Sequence, residues 1–249
     1  MTAALESFDT PLTAAVIGAS GGIGAALVEA LAAHPRVGRV FAFARRPERA
    51  PAGVSAAPLD LVDERSIAAA SALVEAEQTR LDLAIVATGV LHDGDALSPE
   101  KTWRHLDAAA LARSFEVNTI GPALVAKHFL PLLARDRKAA FAALSARVGS
   151  IEDNRIGGWY GYRASKAALN MMLRTLAIEL GRRNPGALCV GLHPGTVDTA
   201  LSAPFQSGVP EHKLFTPARA ADQLLTVLDG LEATDSGGLF AWDGARIPY

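Results

Sequence analysis

A single cysteine, Cys189, in a chain of 249 residues excludes a framework of internal disulfides. It sits in the apolar run Ala187-Leu188-Cys189-Val190, where a buried, inert thiol is expected. Excess charge of one sign is also lacking. The 24 Lys and Arg against 26 Asp and Glu leave a formal net charge of −2, which supplies no long-range pull toward nucleic acid or an anionic membrane. The arginines that do group (Arg45 and Arg46 with Arg49, Arg135 with Arg137, Arg182 with Arg183) have acids between them and read as solvated turns, not a nucleic-acid stripe. No apolar run is long enough to span a bilayer. The first ten residues carry acids and no cationic start, so no signal peptide is expected, and the expected location is the cytoplasm. His92, Asp93 and Asp95 form one short polar loop with no second cluster to complete a metal site, so no metal is expected. Repeats, low-complexity tracts and dividing linkers are missing too, which leaves one domain over residues 1–249.

What remains is an ordinary globular composition, 50% hydrophobic and 20% charged, ordered as short β-type runs alternating with longer helical ones. That alternation predicts an α/β fold: a doubly wound parallel sheet of Rossmann type, covered by helices on both faces. Strands are expected at Thr13–Ile17, Arg39–Ala44, Leu81–Thr88, Ala139–Leu144, Leu188–Leu192 and Leu239–Trp242. Helices are expected from the glycine turn to about His34, from an Asp63 cap to near Thr79, and from Asp107 to about Arg135. Two more are expected over Tyr160–Gly181 and Pro217–Gly230. Residues 196–215 look irregular. The cofactor part is expected over about residues 13–150 and the substrate and catalytic part over about 140–249.

The first strand runs into Gly18-Ala-Ser-Gly-Gly-Ile-Gly24 and then an amphipathic helix. Glycines suit this place because a Cβ would block the tight turn and hold the backbone away from a pyrophosphate. The helix N-terminus adds free N–H groups and the positive end of its dipole. Gly18, Gly22 and Gly24, with Ser20 and Ile23 lining the turn, therefore form the dinucleotide candidate. After the second strand comes Ala44-Arg45-Arg46. An acid near this point would hold a ribose 2′-hydroxyl, whereas an arginine suits a 2′-phosphate, so Arg45 favours NADP, with NAD as the alternative. Asp60 ends another apolar stretch, in reach of an adenine amino group.

Tyr162-Arg-Ala-Ser-Lys166 places a phenol and an ammonium four residues apart, on one helix face. An ordinary tyrosine is too weak an acid to work well at neutral pH. Lowering its pKa by ~2 units takes ~2.7 kcal/mol. A cation ~5 Å away at an effective dielectric of ~20 supplies ~3.3 kcal/mol, so one lysine suffices in magnitude. Asn118 lies inside a helical pattern four residues before Pro122, which has no N–H to give it. A kink is expected there, with the Asn118 carbonyl freed toward a cleft and able to hold a relay water. Leu91, Trp159 and Phe205 are candidates for an apolar pocket near Tyr162, while a structural role is expected for His193.

Taken together, Gly18–Gly24, Asp60-Leu61, Val117-Asn118, Tyr162–Lys166 and His193-Pro-Gly-Thr-Val-Asp-Thr199 resemble the short-chain dehydrogenase/reductase family over nearly the whole chain. Gly149-Ser150-Ile151 and the long loop before Tyr162 resemble its C-factor and sniffer-type carbonyl reductase subgroup. The resemblance implies Tyr162 as general acid for carbonyl reduction and base for the reverse. It implies Lys166 on the nicotinamide ribose, Asn118 on a relay water, and Val197 and Thr199 on the carboxamide after the Pro194-Gly195 turn. It also implies a small carbonyl or alcohol substrate and a homo-oligomer, dimer or tetramer, joined through the helices at 107–135 and 160–181. Two departures stand out. Val86-Ala-Thr-Gly89 replaces the family's Asn-Asn-Ala-Gly, leaving Gly89 for close backbone approach. Ala146 falls where the family's serine belongs, so the adjacent Ser145 is named as the substrate hydroxyl, with Ser150 further on. The rival is a nucleotide-binding sensor or signal with little chemistry. An epimerase or dehydratase fits less well, because the chain leaves little room for an extra substrate domain.

Overall fold

A computed structural model describes residues 3–47, 50–94 and 97–249, so Arg49 and Asp95 lie outside the described residues. In chain order the main elements are β1 (Leu12–Ile17), α1 (Gly22–Ala32), β2 (Val37–Ala44), β3 (Val54–Pro58), α2 (Glu64–Ala76) and β4 (Leu83–Val86). Then come α3 (Ala108–Phe115), a π-helical turn (Glu116–Ile120), α4 (Gly121–Phe129), β5 (Ala139–Leu144), α5 (Tyr160–Arg183) and β6 (Ala187–His193). The chain closes with β7 (Thr196–Val197), β8 (Leu214–Phe215), α6 (Pro217–Gly230), β9 (Leu239–Ala241) and β10 (Arg246–Ile247).

Eight strands form one sheet in the order β10-β9-β6-β5-β4-β1-β2-β3. All neighbours pair in parallel except β10, which turns back antiparallel on β9. This is the single-domain doubly wound Rossmann arrangement that the alternating pattern predicts. Alternation of side chains explains how the sheet is covered. Leu12, Ala14 and Val16 of β1 face a core built with Leu27 and Leu31 of α1 and Leu224 and Leu228 of α6. Ala15 and Ile17 face the opposite core, with Val74 of α2, Phe129 of α4 and Leu169 and Leu173 of α5. The winding direction reverses between β1 and β4, and the crevice at their carboxyl ends is where such sheets bind ligands.

Asp63 caps α2 as expected, its carboxylate accepting Arg65 N–H at 3.0 Å. The continuous helix expected over residues 107–135 is instead interrupted. Asp107 caps α3 through Ala110 N–H at 2.9 Å, but the chain then takes one wide turn, in which Gly121 N–H reaches back five residues to Glu116 O. Pro122 has no N–H for Asn118, so the regular ladder fails here and the π-turn absorbs the mismatch. Pro131 lies in a 3-10 turn after Phe129, where α4 ends. β3 was legible only as an apolar stretch running up to Pro58-Leu59. It is an edge strand with two of its five residues exposed and none fully buried, a weak signal. The region 196–215 is irregular apart from the short β7–β8 pair and two 3-10 turns, Ala203–Phe205 and Glu211–Lys213.

Candidate active site

A crevice lies at the carboxyl ends of β1, β4 and β5. It holds about 540 Å³, within the range of small-molecule and cofactor sites. Gly18, Ser20, Gly22 and Ile23 line it together with Thr199, which closes over them, and Arg45, Asp60, Leu61, Gly89, Tyr162, Lys166 and Pro194 line the rest. Gly18 has φ +90°, a conformation side chains rarely adopt. A Cβ on Gly22 would stand 2.7 Å from the Thr199 methyl, so the segment after β6 closes directly over the glycine turn. Of the cofactor-binding candidates, Gly24, Gly195 and Val197 lie outside this lining, and so does the catalytic candidate Asn118. Gly24 supports the turn from behind, where a Cβ would overlap the Gly18 carbonyl. Gly195 (φ +76°) packs against Phe215 and Trp242, and Val197 is buried with Phe215 and Ala220.

Helix α5 presents Tyr162 and Lys166 on one face, as their spacing requires. Lys166 Nζ donates to Leu144 O at 2.7 Å and lies 5.9 Å from the centre of the Tyr162 ring. Gly149 allows the loop after β5 to press on α5, since a Cβ there would stand 2.8 Å from Lys166 Cβ. Asn118 is fully buried beside this face. Its Oδ1 accepts Val90 N–H and its Nδ2 donates to Val90 O, both at 2.8 Å. Nδ2 also donates to Ser165 Oγ at 3.1 Å, and Thr119 Oγ1 donates to Ser165 O at 2.7 Å. The π-turn is thereby tied to the end of β4 and to the middle of the Tyr162–Lys166 segment.

The electrostatics correct one expectation. Burial pushes the Tyr162 phenol up to about 12, not down, and pushes Lys166 down to about 7. A lysine lowers a neighbouring phenol in the expected way only while it is fully charged and half-solvated. Both groups are instead removed from water, and the desolvation of each charged form sets the direction of its shift. Ser145 lines the crevice, and its Oγ donates to Asn170 Oδ1 of α5 at 2.6 Å. Ser150 Oγ accepts Asp153 N–H at 3.0 Å.

Several site residues carried no sequence signal. Val90, Arg113 and Leu201 line the crevice because the topology gathers them there, beside Thr88 and Val117, which the sequence offered only as members of motifs. The aromatic candidates do meet: Trp159 packs edge-on to Tyr162 (6.2 Å) and to Phe205 (5.1 Å), and Phe205 also meets His92 at 5.8 Å. Leu91 is buried. His92 Nε2 lies 3.1 Å from Ala200 O, and Asp93 bridges to Leu97. His193 is pushed down to about 4, chiefly by burial, and its Nδ1 has no partner.

The glycine cradle, the buried phenol–ammonium pair and the crevice at the sheet's reversal point define a nicotinamide-dependent oxidoreductase acting on small molecules. Residues 12–209 match the short chain dehydrogenase family model, and the chain belongs to that family. It is 32% identical, over 95% of its length and 99% of the relative's, to the 1-hydroxy-2-glutathionyl-2-methyl-3-butene dehydrogenase of a Rhodococcus species. It is 38% identical to the C-signal of Myxococcus xanthus over 58% of this chain and 81% of the relative. An NADPH-bound carbonyl reductase from chicken fatty liver superposes with a TM-score of 0.84 at 27% identity, covering 98% of this chain and 97% of that one. The carbonyl reductase Sniffer of Drosophila melanogaster shares the fold (TM-score 0.83, 24% identity, 96% of this chain and 100% of that one). Among the described residues no helix is long and apolar enough to cross a membrane.

Proposed function

We propose that the protein transfers hydride between NADP(H) and a small carbonyl or alcohol, with Tyr162 as general acid and base. The observation that carries this reading is the Tyr162–Lys166 face of α5, opening into the same crevice as the glycine turn. The residues present fit a dinucleotide: the Gly22 cradle has no room for a Cβ, and the crevice wall holds an unpartnered buried hydroxyl at Thr88. When bound, the nicotinamide supplies or takes the hydride.

The protein's own part is binding and proton handling. The glycine turn and the start of α1 hold the diphosphate. Arg45, exposed at the rim, meets a 2′-phosphate, and Asp60 with Leu61 flanks the adenine. Lys166 holds the nicotinamide ribose, and Pro194 and Thr199 border the carboxamide, with Gly195 and Val197 shaping that turn from behind. Tyr162, kept protonated by burial, gives its proton to the carbonyl oxygen in reduction and regains it through Lys166 and a water held at the Asn118 carbonyl. Residues 13–150 serve mainly the cofactor and residues 140–249 the substrate. Exposed Met171 and Ile178 on α5, with Ile120 on the π-turn, offer surfaces for a homo-oligomer.

The test is titration with NADPH and NADH, followed by a carbonyl panel read at 340 nm, for the wild type and Tyr162→Phe. NADPH should bind more tightly than NADH. The variant should lose at least about a thousandfold in turnover while NADPH affinity stays within about twofold. Retained turnover in Tyr162→Phe overturns the assignment. The engagement of Ser145 with Asn170 favours a second reading, a dinucleotide-binding signal with little chemistry. That reading expects tight NADPH binding with no consumption across the panel.

A further inference from the structure

The wall of the crevice contains one buried hydroxyl that has no hydrogen-bond partner among the described residues, Thr88 Oγ1. Thr88 follows β4, between the glycine turn on one side and Gly89, with Lys166 and Asn118 behind it, on the other. Its methyl is held against the turn, because a Cβ on Gly18 would lie 2.6 Å from Thr88 Cγ2. A β-branched side chain has few rotamers, so fixing the methyl fixes the hydroxyl. The backbone groups nearest Thr88 are already paired. Gly18 N–H (2.8 Å) and Ala19 N–H (2.9 Å) both go to Phe43 O, Gly18 O takes Gly21 N–H (3.0 Å), and Ile17 O takes Ala87 N–H (2.7 Å). A buried unpaired hydroxyl is costly, and such groups are retained where a ligand or water completes them.

We propose that Thr88 is a dinucleotide-binding residue whose hydroxyl donates to an oxygen of the ribose–diphosphate mid-section. This rests on the nicotinamide-dependent reading above. The position supports that part of the ligand: Gly18 marks the diphosphate end and Lys166 the nicotinamide-ribose end, and Thr88 lies between them. The hydroxyl therefore opposes the stability of the free protein and favours the bound one.

Thr88→Val tests the hydroxyl alone, since it keeps the shape and the methyl against Gly18. NADPH and 2′-phospho-ADP-ribose, which has the mid-section but no nicotinamide, are titrated into wild type, Thr88→Val and Thr88→Ser, and each cofactor-free protein is melted. Thr88→Val should weaken both ligands about tenfold, one hydrogen bond's worth, while its cofactor-free melting temperature stays level or rises. Thr88→Ser should bind within about threefold of wild type. Unchanged affinity in Thr88→Val overturns the proposal, as does Thr88→Ser binding as weakly as Thr88→Val, which would assign the effect to the methyl. If Thr88→Val fails to fold, Thr88→Ala against Thr88→Ser makes the same comparison. A wild type that binds neither NADPH nor NADH overturns the parent reading itself, a result separate from the variant comparison.

Discussion

The carboxylate of Glu100 accepts the backbone N–H of Gly161 at 3.0 Å, and the Glu100 carbonyl accepts Trp159 N–H at 2.6 Å. A residue some sixty positions upstream thus caps the helix that carries Tyr162. The helix has no cap of its own, since Trp159 stands at the N-cap with φ 52° and no side-chain bond. Glu100 is 5% exposed, and a carboxylate at that end of a helix is favoured by the dipole. Gly161 makes room for it, because a Cβ there would stand 2.9 Å from Glu100 Oε1.

Replacing Glu100 with Ala should destabilise the protein by about 1–2 kcal/mol, the usual cost of a lost cap. Because the first turn of α5 is affected, kcat should fall more than NADPH affinity. Glu100→Gln keeps an acceptor and should recover most of both. Denaturant melts and steady-state kinetics on the three proteins decide this.

Ser145 and Asn170 should behave as a structural pair. Asn170 Nδ2 already lacks a partner, so Ser145→Ala leaves the whole buried amide unsatisfied. A loss of about 1–3 kcal/mol in stability is expected, with turnover falling less than about tenfold. A stable Ser145→Ala variant without turnover would return the substrate-facing role to Ser145.

Lys166 gives a pH signature. Burial depresses its folded pKa to about 7 from the ordinary lysine value of 10.5. Between those values the unfolded chain holds a proton that the folded protein does not, so stability rises with pH across that window. The penalty is complete below about pH 7 and gone above about pH 10.5. In cofactor-free protein, Lys166→Met should therefore be stabilising by several kcal/mol at pH 6.5 and nearly neutral at pH 10.5. Thermal melts across pH measure it. An equal effect at both ends contradicts the buried-lysine picture.

Arg45 is exposed at the crevice rim. Arg45→Glu should weaken NADPH at least about tenfold, leave NADH unchanged or improved, and reduce the salt dependence of NADPH binding. Equal losses for both cofactors would remove the 2′-phosphate argument.

Much of this was legible because it is local. The strand–glycine–helix succession, the Asp63 cap and the four-residue spacing of Tyr162 and Lys166 are short-range facts, and the structure displays each. The Pro122 kink was legible too, but its form was not: a missing N–H announces a break without saying that the chain will widen one turn and continue. Glu100 and Thr88 were illegible for a different reason. One acts across a long loop and the other is distinguished only by lacking a partner, and neither property has a sequence pattern. The Tyr162 and Lys166 electrostatics were misjudged because spacing reports separation, whereas the shifts follow from depth.

The widened turn at Glu116–Ile120 joins two registers that would otherwise be independent. Upstream, α3 is set by its Asp107 cap; downstream, α4 directs Val125 and Phe129 into the core. The turn carries one residue more than a regular turn, so α4 keeps its phase only because the extra residue is absorbed in the widening. Removing one residue would tighten the turn and draw Asn118 from Val90 and Ser165, while Pro122, still without an N–H, would keep the ladder from closing regularly. Length is therefore constrained here as strictly as identity, and a variant library should tolerate substitution at Thr119 or Ile120 better than deletion of either.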